Sequence, residues 1–396
     1  MLRRVAALCA LGLAAAQPAS SAEVRAAVLR VDYPGLLPIS RLDLPPEDLG
    51  FAGAELATED NATTGGFLGD TYAVHDVAVA PEEAQAAFDQ LVTEGYGIVV
   101  VLAHRDEVLA FADSAPEGML ILNAEATDES LRGEDCRANV LHVAPSERML
   151  TDALAQFLVW KRWERWFLIH GSHPEDLALA QAYEASAEKF GATIAEEREF
   201  EDRGGARVTD TGQAQVQQQI PLFTQDARRH DVVVAADASD VFAAYLPFQT
   251  WDARPVTGSA GLRPVTWHPA HESWGATQMQ NRFEALAHRP MREEDYQAWL
   301  ALRVVGEAVT RTRSADPQAI RDYALGPDFE VGAFKGQPLT FRDWNGQLRQ
   351  PILLTDGRIT VSVSPQEGFL HPVSTLDTLG LDRPESKCTA FGGGAE

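Results

Sequence analysis

An α/β fold in two linked halves is what this chain predicts, and three observations carry the prediction. Apolar runs of strand length recur along it, helical patterns fill the intervals between them, and 396 residues exceed what one hydrophobic core usually organises. The runs are Val24 to Val31, Ile98 to Leu102, Met119 to Leu122, Trp166 to Ile169 and Val232 to Ala235. Each is bounded by turn or charged residues, as in the buried strands of a mostly parallel sheet. Between them, Ala84, Ala87, Phe88 and Leu91 share one helical face behind Pro81, a residue suited to a first turn. Leu150, Ala153, Leu154, Phe157 and Leu158 repeat that spacing after Ser146, a candidate N-cap. Leu179, Ala182, Tyr183, Ala187 and Phe190 do so again, and Gly191 fits a helix stop. Strands separated by helices at this interval imply crossover connections and an α/β architecture.

The N-terminus points to export. Arg3 and Arg4 precede an apolar stretch from Val5 to Ala16, and Ser20 and Ala22 supply small residues for cleavage, which predicts a signal peptide over 1–22 and a periplasmic mature chain. That stretch is too short to span a bilayer, and Cys9 lies too early to be a lipoprotein cysteine. Cleavage leaves Cys136 and Cys388. In an oxidising compartment they either form one disulfide tying the tail to the body or stay unpaired. The formal charge of −25 disfavours nucleic acid and anionic lipid and favours cations or basic partners, although solubility alone accounts for many of these carboxylates.

Several segments carry a family likeness. GFAGAELATEDNATTGGFLGD (Gly50 to Asp70) follows the first strand, Leu141 to Ile194 runs through a helix, a strand and a second helix, and DYQAWLALRVVGEAVTRT (Asp295 to Thr312) is a long late helix. In this order the segments resemble a type I periplasmic solute-binding protein of the branched-chain amino-acid group. More narrowly, LRGEDCRANVLHVAPSERMLTDALAQFLVWKRW and TLDTLGLDRPESKC are similar to a subgroup associated with PQQ-dependent alcohol dehydrogenase systems. The resemblance implies two Rossmann-like lobes joined by a three-strand hinge, closing on a ligand and serving an inner-membrane ABC permease. It places lobe one at 23–143 and 268–326, and lobe two with the C-terminal tail at 144–267 and 327–396. A monomer is expected.

Open α/β sheets hold ligands at the carboxyl ends of their strands, so the ligand-binding candidates come from those turns. After Ile98 to Leu102 these are His104, Arg105 and Asp106; after Met119 to Leu122 they are Asn123, Glu125, Ala126 and Thr127. From the second half come His170 and Ser172, then Asp237 and Asp240. In amino-acid-binding relatives the first turn resembles a glycine and serine segment that holds the ligand carboxylate; here it is HRDE, and an ordinary α-amino acid fits poorly. Two chemistries compete. Arg105 with His104 and Asn123 suits a carboxylate or phosphate. Asp106, Glu125, Asp128 and Glu129 suit a hard cation such as Ca²⁺ or a lanthanide ion. The alternative for each acidic residue is a helix cap or a surface charge.

Other signals are weaker. His170 with His173, and His268 with His271 and Glu272, lack a third metal ligand and read as turn or surface residues. Trp160, Trp163 and Trp166 in WKRWERW mark a helix end running into a buried strand, and Trp251, Trp267 and Trp274 read as buried packing. The run from Gln213 to Gln219 reads as a solvated helix face. With no GxSxG, P-loop or GxGxxG, the chain offers no catalytic arrangement, and a binding protein needing no cofactor is expected. The alternative is a periplasmic chaperone that delivers Ca²⁺, a lanthanide ion or a cofactor to a PQQ-dependent dehydrogenase without any transporter.

Overall fold

The computed structural model describes residues 21–35, 37–203 and 216–392. The proposed leader, all but its last two residues and including Cys9, lies outside them, as do positions 213–215 of the glutamine run. No helix among the described residues is long and apolar enough to cross a membrane.

Two parallel sheets organise the molecule. The chain opens with β1 (Glu23–Val31), α1 (Phe51–Gly65), β2 (Thr71–Val79), α2 (Ala84–Thr93), β3 (Ile98–Leu102), α3 (Arg105–Ser114), β4 (Leu120–Asn123) and β5 (Val140–His142). These strands form the first sheet, in the order β2-β1-β3-β4-β5 with every pair parallel. Next come α4 (Glu147–Trp160), β6 (Arg165–Gly171), α5 (Pro174–Phe190), β7 (Thr193–Phe200), α6 (Val216–Thr224), β8 (Val232–Ala236), the short α7 (Leu246–Gln249) and β9 (Val256–Gly258). The second sheet, again parallel, runs β7-β6-β8-β9. After β10 (Arg263–Val265), helices α8 (Ala276–Ala287), α9 (Glu293–Thr312) and α10 (Pro317–Ala324) return to the first sheet. The chain ends with β11 (Thr340–Phe341), β12 (Leu348–Arg349), β13 (Ile352–Thr355) and β14 (Thr360–Ser364); β10, β13 and β14 make a small antiparallel sheet against α4.

Local chemistry accounts for the elements. β3, β4 and β8 are buried along their whole length because helices cover both faces of each sheet, so they read as unbroken apolar runs. The edge strand β2 (TYAVHDVAV) is nowhere fully buried, so its pattern is mixed and no apolar run announces it. The Ser146 hydroxyl accepts from the Met149 amide at the start of α4, and Gly191 ends α5 with a left-handed φ of 80°.

A buried carboxylate fastens α9 to the first sheet. Asp295 accepts the Gly50 amide (2.8 Å), both terminal nitrogens of Arg289 (2.6 and 2.9 Å) and the Arg292 amide (2.9 Å). Gly50 itself has a φ of 80°, and a Cβ there would strike Leu102 on β3. Helices α1 and α9 then approach so closely that Gly53 faces the Asp295 carbonyl and Gly306 faces the Asn61 side chain, with no room for a Cβ at either place.

The chain passes between the halves near Val143, Thr266 and Pro351, the last well beyond the expected 326/327, because Phe329, Val331, Leu339 and Leu348 still pack in the core of the first sheet. Gln350 Nε2 donates to the Val143 carbonyl (2.9 Å), while the buried Lys335 ammonium donates to the carbonyls of Thr266 and Pro351, so all three crossings are stitched together. Burial lowers the Lys335 pKa to about 7. A further link is covalent: Cys136, between β4 and β5, is bonded to Cys388 in the tail, 252 positions away. Just upstream, the tail is held on α4 and α5. The Gly380 amide donates to Asp152 (2.9 Å), and the Lys189 ammonium donates to the Thr378 and Gly380 carbonyls. Closing so long a loop restricts the unfolded chain, so replacing both cysteines by serine should lower stability by about 2–4 kcal/mol, read as a shift in urea midpoint against the oxidised parent.

Candidate functional site

The carboxyl ends of β1, β3 and β4 converge on a gap whose far wall belongs to the second sheet. Two adjoining cavities of about 480 and 580 Å³ lie there, sharing Tyr33, His104 and Glu125. The larger is closed on one side by Glu175 and Ala178 of α5 and by Ala238 after β8, so both halves build it. The connection from β1 to α1 also reaches across, where the Ile39 amide donates to Asp240 (3.1 Å).

The HRDE turn is the start of a helix. His104 occupies the N-cap position of α3 with extended backbone, and Arg105 is already helical. The His104 ring stacks on Tyr33 at 3.6 Å with planes 1° apart. Tyr33 is fixed from both sides, since its hydroxyl donates to Glu107 (2.6 Å) and accepts the His104 amide (2.8 Å). Burial and the Glu107 bond push that hydroxyl's pKa well up, so it stays protonated.

Arg105 is not free to meet an anion. Its guanidinium donates to Asp106 (2.7 Å), Asp135 (2.5 Å) and Ser130 (2.8 Å). Arg30, on the smaller cavity, is committed likewise to Asp32 and to the carbonyls of Glu47 and Leu49. The acidic residues differ. Asp106, Glu125, Asp128 and Glu147 line the larger cavity, and Glu294 of α9 reaches the smaller. Burial, then the neighbouring Glu294, raises the Glu125 pKa to about 7; burial, then Asp128 and Glu129, does the same for Glu147.

Of the candidates read from sequence, the structure brings His104, Arg105, Asp106, Glu125, Ala126, Thr127 and Asp128 to the cavity. Others are placed elsewhere. Asn123 is fully buried below the turn, where its side-chain oxygen accepts the Glu125 and Ala126 amides and its nitrogen donates to the Ala126 carbonyl, so it shapes the loop without facing the gap. His170 is buried on β6 between the Gly171 carbonyl and Glu197, and Ser172 accepts the Asp202 amide; both look toward the β7 side. Asp237 accepts three successive amides from Val241 to Ala243 and caps that turn. Asp240 joins the halves through Ile39 and does not line either cavity.

The hard-cation arrangement does not assemble. Glu129 turns to the Arg148 amide (2.9 Å), Asp106 pairs with Arg105, and no group of three or more His, Cys, Asp or Glu among the described residues could hold a metal ion. Among the tryptophans, Trp267 is buried on Tyr296, whereas Trp251 and Trp274 are more than half exposed, contrary to the buried packing expected of them. Tyr33, Glu147, Glu175 and Glu294 escaped sequence reading. Tyr33 stands two residues beyond the end of β1, so the strand-end rule applied to the first strand would have found it.

Comparison with known proteins settles the family. A family model described as periplasmic binding protein matches residues 48–358. The chain belongs to that family. Solved structures similar to this periplasmic binding protein include a branched-chain amino-acid ABC transporter ligand-binding protein from Burkholderia xenovorans LB400, at 14% identity and TM-score 0.70 over 93% of this chain and 100% of that one. An ABC transporter substrate-binding protein from Desulfitobacterium hafniense, in complex with Leu, matches at 18% identity and TM-score 0.65 over 85% and 98%. An ABC transporter solute-binding protein from R. palustris, in complex with benzoate, matches at 12% identity and TM-score 0.63 over 92% and 99%. At these identities the likeness is one of fold. No curated protein sequence matches the chain.

The raised carboxyl groups make the binding protein's stability depend on pH. Between the ordinary glutamate value of 4.5 and about 7, folded Glu125 and Glu147 keep protons that the unfolded chain has released. Their burial therefore costs little below about 4.5, costs more as pH rises from there toward 7, and carries its full cost above 7. Glu125→Gln should raise the melting temperature by a few degrees at pH 8 and change it little at pH 5; an equal shift at both would show that Glu125 ionises normally.

Proposed function

We propose that this chain is the periplasmic solute receptor of an ABC import system, closing its two halves on a small molecule and presenting them to an inner-membrane permease. The observation that carries this reading is the cavity walled jointly by α3 and the β4 turn on one side and by α5 on the other, with three stitched crossings as its hinge. Nothing in such a cycle requires a catalytic residue. The link to PQQ-dependent alcohol oxidation rests on two sequence segments, and their places in the fold qualify what they report. The first carries Arg132 and Cys136, and the second carries Asp377, Gly380 and Cys388. Arg132 binds the Ala126 and Ala144 carbonyls, and Asp377 pairs with Arg342 and Arg349. The likeness is therefore mainly one of scaffold, reaching the cavity at Glu147 of the first segment. Delivery of a metal to a dehydrogenase draws no support from the arrangement of the acidic residues.

A solute that closes the molecule should both raise its melting temperature and contract it. Thermal-shift screening of the mature protein against amino acids, alcohols, organic acids, amines and PQQ, followed by small-angle X-ray scattering of every binder, tests this. Binders that leave the radius of gyration unchanged would overturn the receptor reading.

A further inference from the structure

We propose that the solute of this cleft is an organic cation, an amine or guanidinium compound with a flat or apolar body, and not a carboxylate. The inference rests on the receptor reading and names the class of molecule received.

Charge supplies the first argument. Glu125 follows β4, Glu147 opens α4, Glu175 lies on α5 and Glu294 lies on α9, so carboxyl groups approach the gap from four separate elements. Against them the two cavities offer three basic side chains, Arg30, Arg105 and His104. Both guanidinium groups are already held by aspartates and by hydroxyl or carbonyl oxygens, and His104 is stacked on Tyr33. A ligand carboxylate entering here would find no uncommitted guanidinium and several like charges.

The second argument is an incomplete pairing. Glu125 and Glu147 are half-buried on the cavity, and among the described residues neither side chain has a hydrogen-bond or ion-pair partner. Partly desolvated carboxyl groups without partners are costly, and a donor arriving with the ligand would relieve that cost. The Glu147 amide donates to the Thr127 carbonyl (2.9 Å), so Glu147 sits beside the turn that carries Glu125, while Glu175 faces them from α5; a spread of carboxyl groups across the gap suits several N–H donors on an extended molecule better than one small ion.

A flat wall is the third. Tyr33 and His104 stack face to face at a position common to both cavities, with Tyr33 anchored by Glu107, which gives an apolar body or a delocalised cation a surface to lie on.

The assignment implies a pH dependence of known sign. Glu125 faces Arg30, Asp32 and Tyr33 from the β1 end, His104 across the cavity and Glu294 from α9; Glu147 faces Asp128 and Glu129 from the β4 turn and Tyr183 from α5. With both carboxyl groups titrating near pH 7, a cation binds their ionised forms and displaces protons, so affinity rises between pH 6 and pH 8.

Titration calorimetry of the mature protein with tyramine and agmatine, beside benzoate and L-leucine, at pH 6 and pH 8, tests the proposal. Expected is binding of at least one amine, tighter at pH 8, and weakened about tenfold or more by Glu125→Gln or Glu147→Gln, neither of which should impair folding. Benzoate or leucine binding that survives both substitutions would overturn the cation assignment, and if it also contracts the molecule the receptor reading stands. Failure of both amines, or amine binding indifferent to both substitutions, would overturn the assignment as well. Amine binding that both substitutions weaken, but without contraction, would uphold the cation and remove the receptor.

Discussion

The Asp295 carboxylate is the constraint on which the first half depends. Its four donors come from Gly50 just before α1, and from Arg289 and Arg292 in the segment that leads into α9, so one buried carboxylate fixes two helix starts at once. That contact spans 245 positions in sequence, and the second half is inserted between its partners. The first sheet therefore acquires its outer helix only after the chain has built the other half and returned. Glycines at 53 and 306 let α9 settle against α1, and the same seating sets Glu293 and Glu294 at the hinge and the cavity rim. Glu293 there accepts the backbone amide and hydroxyl of Thr266 on a crossing strand (2.6 and 2.8 Å).

Much of the architecture was legible because central strands of parallel sheets must be apolar on both faces. The runs at Ile98, Trp166 and Val232 became β3, β6 and β8 with shifts of a residue or two at their ends. The edge strands β2 and β7 were not, since half-solvated residues such as those of TIAEEREF carry no continuous apolar signal. At the site, strand-end reasoning located the β3 and β4 turns but not the direction of each side chain. Asn123, His170 and Asp237 look functional in sequence because they are polar beside strand ends. In space they satisfy backbone groups or neighbouring side chains within their own half, and Asn123 and Asp237 shape the turns directly. Glu294 carries no local signal at all, because only the return of α9 brings it to the cleft.

Three features of the cleft support the organic-cation proposal. Its arginines are engaged internally, its aromatic wall is rigid, and its unpaired groups are acids whose ionisation is suppressed by burial. In this respect the scaffold and the pocket carry separate information. Arg132 and Asp377 preserve the shape of the molecule, while Tyr33, His104, Glu125 and Glu147 line the space between its halves.

The tail has a mechanical consequence. It is held on α4 and α5 through Gly380, then bonded through Cys388 to the first half, so a short strap of chain ties the two bodies from outside the hinge. A strap of peptide resists stretching far more than slackening. Residues 377–381 are gripped by Arg342 as well as by Asp152 and Lys189, so the tail works as a clasp that bounds how far the two bodies can part.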